Sequence, residues 1–374
     1  MKLNSQLLIA GLKIVTSTAK EHLRFSNFLH IKIDETCKVT LQSTSDIINS
    51  IRCTYTDKST NGETLDVVVF GDKLLAFASS NPEEIELIEK DRFLMGKGKG
   101  SLRMGKLSLS EYAICNFDNP FEFQSQLSYS NPALINNIIS KFNRLLSWAD
   151  KTSPIVLYRD IYLNGVASVR DHNYTLSVLD RDKLWNDWVC PHVIPTELLD
   201  TLTKLRGMTI LLIQFPKEKE NQLKLKIGND VLGIYYEISS RLIDGKHPVD
   251  EISILVNETE KADSIEVSKT ALIDLLKTLR QFVGRNEVID INIDTDKCVI
   301  SSLNYIETLP LFLSTFKAKS AFRINLDLLL KVLSDIKDKE DKVRMYLYYY
   351  IINKRISRIA IIDDTIHYIF PCAL

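Results

Sequence analysis

Apolar residues recur at three-and-four spacing in six separate windows of the chain, and each window is followed by runs rich in β-branched and aromatic residues. The last window is the clearest. Asn325 can cap a helix in which Leu326, Leu329, Leu330, Leu333 and Ile336 form one apolar face. After the charged turn Lys337–Asp341 come strand-like runs at Val343–Ile352, Ile356–Ile362 and Thr365–Phe370. Earlier windows repeat the scheme. Ser5–Lys20 carries Leu8, Leu12 and Val15, and a shorter helix opens at Asp72 with Leu74, Leu75 and Ala78. Asn131 followed by Pro132 opens a third, with Leu134, Ile135, Ile138, Phe142 and Leu145 on one side. Thr196–Arg206 places Leu198, Leu202 and Leu205 before the stop at Gly207; Ser268–Val283 places Leu272, Leu275, Leu276, Leu279 and Phe282 before Gly284. The starts are roughly 60 residues apart, which predicts six copies of one helix-plus-strands unit.

At 374 residues the chain exceeds one ordinary core, and six half-units group most simply as three pairs. A hydrophobic content of 45% with 25% charged residues is that of a soluble globular protein, and excludes a disordered chain or a coiled coil. The longest apolar runs, such as Tyr346–Ile352, are too short to cross a bilayer. Met1–Ala19 superficially resembles a leader, but Lys13 interrupts its apolar segment and an amphipathic helix accounts for it better. Cys37, Cys53, Cys115, Cys190, Cys298 and Cys372 form no Cys-x-x-Cys pair and have no histidine at zinc spacing, so reduced thiols in a cytoplasm are expected, with no metal or cofactor.

The net charge of −1 is not that of a typical DNA-binding module, but its distribution changes the picture. The six helical windows hold twelve basic against seven acidic residues, an excess of +5 that leaves −6 for the rest of the chain. Helices sharing one surface would make that surface basic, suited to a polyanion held on one side; the alternative is a chance excess on solvated faces.

Motifs for catalysis are scarce. Gly100-x-x-x-x-Gly105-Lys106 begins like a phosphate-binding loop, but Leu107 stands where Ser or Thr should hold magnesium. With Gly96-Lys97-Gly98-Lys99 before it, the segment reads as a basic hairpin turn. His22, His30, His172, His192, His247 and His367 are dispersed, and the carboxylate pairs Asp363-Asp364 and Asp294-x-Asp296 lie in turn contexts. No catalytic residue is assigned, and a non-catalytic scaffold is expected.

Several segments resemble the bacterial DNA polymerase III beta sliding clamp family. Arg241-Leu242-Ile243-Asp244-Gly245-Lys246-His247-Pro248 is similar to the run that ends the family's second domain. Val178-Leu179-Asp180-Arg181-Asp182-Lys183-Leu184 resembles its Ala-Thr-Asp-Gly-His-Arg-Leu segment, and Val193-Ile194-Pro195 before a helix resembles the family's next stretch. Gly98–Tyr112 resembles a strand of its first domain, and Tyr368-Ile369-Phe370-Pro371-Cys372-Ala373-Leu374 its C-terminus. The motifs occur in the right order over nearly the whole chain.

The resemblance implies an α+β fold of three similar DNA-clamp domains (1–122, 123–252 and 253–374), each with two helices on antiparallel sheets, forming half of a ring. It implies a homodimer around duplex DNA that tethers a DNA polymerase and is opened by a clamp loader. Candidate DNA-facing residues are Lys13, Lys20, Lys141, Arg144, Lys151, Lys204, Lys277 and Arg280. By position, the family's peptide pocket would take its wall from Leu179, Leu184, Pro248, Ser253, Tyr368, Phe370, Pro371, Cys372 and Leu374, and its dimer interface from Leu102 and Met104 against Leu276 and Leu279. Two other readings stand beside this one: an enzyme of repeated α+β units binding nucleotides through the Gly96–Lys106 turn, and a monomeric clamp-like accessory protein.

Overall fold

The computed structural model describes residues 1–16, 27–44, 50–112, 117, 122–149, 160–170, 176–190, 192–217, 220–243, 262–284, 287–303, 305–315, 319–337, 340–349 and 356–372. These contain a helix in each of the six apolar windows: α1 (Ser5–Val15), α2 (Gly71–Ser80), α3 (Pro132–Leu146), α4 (Thr196–Lys204), α5 (Lys269–Phe282) and α6 (Leu326–Asp335). Side-chain caps set four of the starts. Asn4 Oδ1 accepts from the N–H groups of Gln6 and Leu7 at 3.0 and 3.2 Å, and Asn131 Oδ1 from Ala133 at 2.9 Å. Ser268 Oγ accepts from Ala271 at 3.1 Å and Asn325 Oδ1 from Leu328 at 3.0 Å. Beyond α4 the chain turns through Gly207 at φ +68°, a conformation that costs glycine little.

The chain divides into two compact units. The first, Met1–Ser147 with Val189–Gly245, holds two antiparallel sheets. One has the order β1 (Lys2–Asn4), β6 (Glu84–Glu89), β7 (Phe93–Lys97), β8 (Ser101–Gly105). The other has eight strands in the order β5 (Leu65–Phe70), β2 (Phe28–Ile33), β3 (Lys38–Ser43), β4 (Ser50–Thr56), β15 (Ile234–Arg241), β14 (Gln222–Asn229), β13 (Ile210–Pro216), β9 (Phe123–Tyr129). Helix α1 packs on α2, and α3 on α4.

The second unit, Trp148–Trp188 with Lys246–Leu374, also has an eight-stranded sheet and a four-stranded one. The first runs β10 (Tyr162–Leu163), β11 (Ala167–Arg170), β12 (Ser177–Asp180), β24 (Ile366–Pro371), β23 (Ile356–Asp363), β22 (Val343–Tyr349), β16 (Asp263–Val267), β20 (Leu313–Ser314). The second runs β19 (Tyr305–Pro310), β18 (Lys297–Ser302), β17 (Val288–Ile293), β21 (Ser320–Asn325), and α5 packs on α6.

Strand order exposes the repeat. In the first third β1 is followed in its half-sheet by β6, β7 and β8, while β5, β2, β3 and β4 form another half-sheet; the last third repeats both orders with β16, β22, β23, β24 and with β21, β17, β18, β19. In the middle third β9 and β13 to β15 take the place of the first set, and β10 to β12 that of β2 to β4. Each eight-stranded sheet is therefore two half-sheets joined at a seam, β4 to β15 in one and β12 to β24 in the other. Of the domain boundaries expected from sequence, 122/123 falls just before β9, and 252/253 lies outside the described residues.

Candidate functional site

The buried stripes of the helices fix which side chains they expose. Lys13, Lys204 and Lys277 are exposed, each on a helix whose leucines are buried against its own unit. Lys141 and Arg144 are half-buried on α3, whose open face carries Asn136, Asn137, Ser140 and Asn143. Arg280 is exposed but lies 2.9 Å from Asp327 across the α5–α6 pair, so part of its charge is already balanced. Lys20 and Lys151 lie outside the described residues. Within the observed bounds the six helices carry nine basic and six acidic side chains, an excess of +3. It is smaller than the sequence expectation because Lys20 lies outside the described residues and Arg206 lies beyond the end of α4.

Among the described residues the two four-stranded sheets each end on an edge with no further strand, β8 in the first unit and β19 in the second. An open edge presents unsatisfied N–H and C=O groups, a template for another strand. Beside β19 sits an apolar cluster: Phe282 is 57% exposed, Leu303 98% and Ile306 73%, and the Phe282 ring stacks on Tyr305 with centroids 5.4 Å apart. A depression of about 450 Å³ beside Phe282 and Val283 continues it. Lys97, Lys99 and Arg103 are exposed on and beside β8, whereas β19 carries Glu307 and no base. Three of the four interface residues expected from sequence do not fit. Met104 is 1% exposed, and Leu276 and Leu279 0%, so all three are core side chains that no partner can reach. Leu102 is half-buried on the open strand. The residue that sequence reasoning missed is Phe282, one turn beyond Leu279.

The residues expected to form one docking wall occupy two faces of the eight-stranded sheet. Leu179 stands opposite His367 across the β12–β24 seam and packs with Tyr348, Ala360 and Ile369. Tyr368 and Phe370 alternate with His367 and Ile369 and so point to the other face. There the Tyr368 hydroxyl donates to Asp335 of α6, whose carboxylate also accepts from Trp148 Nε1 at 3.2 Å, and the two rings meet edge-on at 5.4 Å. Leu184 is half-buried in a 3₁₀ turn whose start is capped by Asp182 at 2.9 Å. That turn is anchored by Asp180, which accepts from the Asp182 N–H at 3.0 Å and the Thr365 hydroxyl at 2.7 Å. Burial pushes the Cys372 thiol up to about 12, and holds His367 down at about 4 with help from the Arg181 charge. Both are uncharged at neutral pH. Pro248, Ser253 and Leu374 lie outside the described residues, as does the placement of the Pro371 side chain.

The glycine-rich segment is the β7–β8 hairpin, with Gly98 N–H donating to Gly100 O at 2.9 Å. Asn81, at the end of α2, accepts from the Lys99 N–H at 2.5 Å, and Lys106 pairs with Glu89 at 2.7 Å. A hairpin tip held down in this way, followed among the described residues by only a three-residue 3₁₀ turn (Leu109–Glu111), is not a phosphate-binding loop. Among the described residues no group of three or more His, Cys, Asp or Glu side chains is placed to hold a metal ion.

No family model matches the chain, and no curated protein matches it in sequence. Its likeness is to solved structures. The Helicobacter pylori beta clamp bound to a DNA ligase peptide superposes with a TM-score of 0.71 at 14% identity, with 100% of each chain covered. The DNA polymerase III subunit beta from Pseudomonas aeruginosa gives 0.73 at 14% identity over 100% of this chain and 99% of its own. The C. crescentus beta sliding clamp gives 0.74 at 12% identity with the same coverage. The chain has the α+β fold of bacterial DNA polymerase III beta clamps.

Proposed function

We propose that the protein is a sliding clamp: two copies close head to tail into a ring around duplex DNA and tether a replicative DNA polymerase to it. The observation that carries this reading is the arrangement of half-sheets. Within one chain β4 meets β15 and β12 meets β24. By the repeat, the remaining counterparts are β19 and β8, each left with an open edge. A third seam of the same kind needs a second copy, and a heterologous contact that closes gives a ring. Phe282, Val283, Leu303 and Ile306 on the β19 side and Leu102 on the β8 side are its proposed contacts.

DNA is held without base readout. Exposed Lys13, Lys204 and Lys277, with Lys141, Arg144, Arg280, Lys20 and Lys151, contribute weak phosphate contacts that permit sliding. Polymerase and clamp loader dock through short peptides beside the β12–β24 seam at half-buried Leu184, with Pro248 and Ser253 as further proposed contacts. The role requires no catalytic group or cofactor and belongs to the cytoplasm. No helix among the described residues is long and apolar enough to cross a membrane.

The test is loading onto nicked circular DNA with a clamp loader, followed by linearisation. Retention on the circle and loss after cutting is the expected result; equal retention on both forms would sink the reading.

A further inference from the structure

In an antiparallel pair, residues that exchange hydrogen bonds alternate with residues whose N–H and C=O point away from the partner strand. The bonds from Gly98 N–H to Gly100 O and from Lys106 N–H to Arg92 O continue the β7–β8 register at its two ends. Leu102 and Met104 therefore bond inward, and Ser101, Arg103 and Gly105 point to the open edge. The bond from Leu311 N–H to Asp296 O does the same for β18 and β19, and turns Ile306, Thr308 and Pro310 outward. In both strands the outward residues lie on the face opposite the buried Met104 and Leu309.

The seams inside the chain follow one rule. Exchanging pairs are Ser50–Ser239, Arg52–Glu237 and Thr54–Tyr235 at β4–β15, fixed by the bonds of Asp57 N–H to Cys37 O and Leu242 N–H to Asn221 O. At β12–β24 they are Ser177–Ile369, Leu179–His367 and Arg181–Thr365, the last seen directly as Arg181 N–H to Thr365 O at 2.9 Å. With β8 laid antiparallel to β19 of a second copy, one register supplies three such pairs again: Ser101–Pro310, Arg103–Thr308 and Gly105–Ile306. A shift of two residues one way would need Leu107, whose N–H already bonds Val68 O at 2.9 Å. A shift the other way would need Lys99, whose N–H bonds Asn81 Oδ1 at 2.5 Å, or Asn304, which lies outside the described residues.

Side chains agree with this register. A Cβ on Gly105 would meet nothing within 4 Å in its own chain, so the fold does not demand glycine there; opposite it, the exposed Ile306 fills the space. Half-buried Leu102 falls opposite Leu309 on the face toward α5. Pro310, which has no N–H to give, stands at the end of the ladder on an edge strand, where proline is tolerated.

We propose that β8 pairs with β19 of a second copy in this register, so that Arg103 of one chain faces Thr308 of the other; the pairing rests on the ring reading and adds its alignment. The test mixes two full-length chains, Arg103→Cys and Thr308→Cys, with a mild oxidant and reads covalent dimer on a non-reducing gel. Residues in an exchanging pair have Cα atoms about 5.5 Å apart, within disulfide reach, whereas a two-residue shift carries them beyond about 7 Å. The mixture should cross-link, and neither chain should do so alone. Arg103→Cys mixed with Ile306→Cys, and Gly105→Cys mixed with Thr308→Cys, should give about tenfold less product. Gly105→Cys mixed with Ile306→Cys is the second in-register pair and should match the first, should either of the first two variants fold poorly. Stronger cross-linking by a shifted pair, or none by either in-register pair while the natural chain sediments as a dimer, would overturn the register and leave the ring standing. A natural chain that sediments as a monomer would overturn both.

Discussion

Arg52 and Glu237, 185 residues apart, join across the β4–β15 seam by a 2.7 Å hydrogen bond in a half-buried setting. The bond links a strand of the first third to one of the second, at the point where two half-sheets become one. Charge-assisted bonds of this kind contribute more than exposed ion pairs, because less of the attraction is screened by water. A double-mutant cycle with Arg52→Ala and Glu237→Ala, followed by urea unfolding, should give a coupling of about 1 kcal/mol. Additive single effects would mean that the backbone ladder alone holds the seam.

The helices were legible because their signals are local. Asn4, Asn131, Ser268 and Asn325 bond donors two or three residues away, and each leucine stripe arises from a 3.6-residue period. Strand partners were not legible in the same way. Nothing local at Arg52 announces Glu237, and a strand's period of two does not fix its register against a distant neighbour. That is why Leu179 and Tyr368 could be assigned to one wall although β12 and β24 place them on opposite faces. The stripe on α5 failed differently. It marks Leu276, Leu279 and Phe282 alike as apolar, but periodicity cannot tell a residue covered by α6 from one left for another chain.

Head-to-tail closure predicts a strong effect at Phe282 and Ile306. Phe282→Lys with Ile306→Lys would bury two like charges at the third seam, facing the bases Lys97, Lys99 and Arg103 on the β8 side. Sedimentation at micromolar concentration should change from twice the 42.8 kDa chain mass to the chain mass itself, with an unaltered melting profile of the monomer. A dimer unchanged by both substitutions would move the interface elsewhere.

Lysines that meet phosphate weaken binding uniformly across sequences when they are removed. For Lys13→Ala or Lys277→Ala, the slope of log affinity against log salt on short duplexes should become shallower by up to about 0.9 per phosphate no longer neutralised. Arg280→Ala should have a smaller effect, because Asp327 already balances part of its charge. Slopes identical to the natural chain for both lysine variants would remove the helical surface as the DNA-binding face.

His367 makes stability depend on pH. Burial and the Arg181 charge lower its pKa to about 4, against the opposing pull of Asp180, while the unfolded imidazole titrates near 6.5. Between those values the unfolded chain holds a proton that the folded chain does not. Stability is therefore fully present above about pH 6.5 and is lost as pH falls toward 4, by up to about 3 kcal/mol. Urea midpoints measured across that window should fall for the natural chain and fall less for His367→Gln. Parallel curves would exclude His367 as the source.

The two faces at the β12–β24 seam call for opposite outcomes from two substitutions. Leu179 is a core side chain, 1% exposed among Ala360 and Ile369, so the proposed docking contact beside it is half-buried Leu184. Leu184→Arg should therefore weaken binding of a polymerase-derived peptide by about tenfold or more, since a small apolar pocket receives little energy from anything but its anchor side chains. Its fold should survive, because a long arginine can carry its charge out to solvent. Asp335→Ala acts on the other side. It leaves the Trp148 indole N–H and the Tyr368 hydroxyl without their acceptor, at a cost of about 2 kcal/mol in stability, yet touches nothing on the Leu179 face. Isothermal titration with the peptide and urea unfolding of both variants separate the cases. If Asp335→Ala abolishes docking in the folded protein while Leu184→Arg spares it, partners bind through the Tyr368 side and the assignment of faces is reversed.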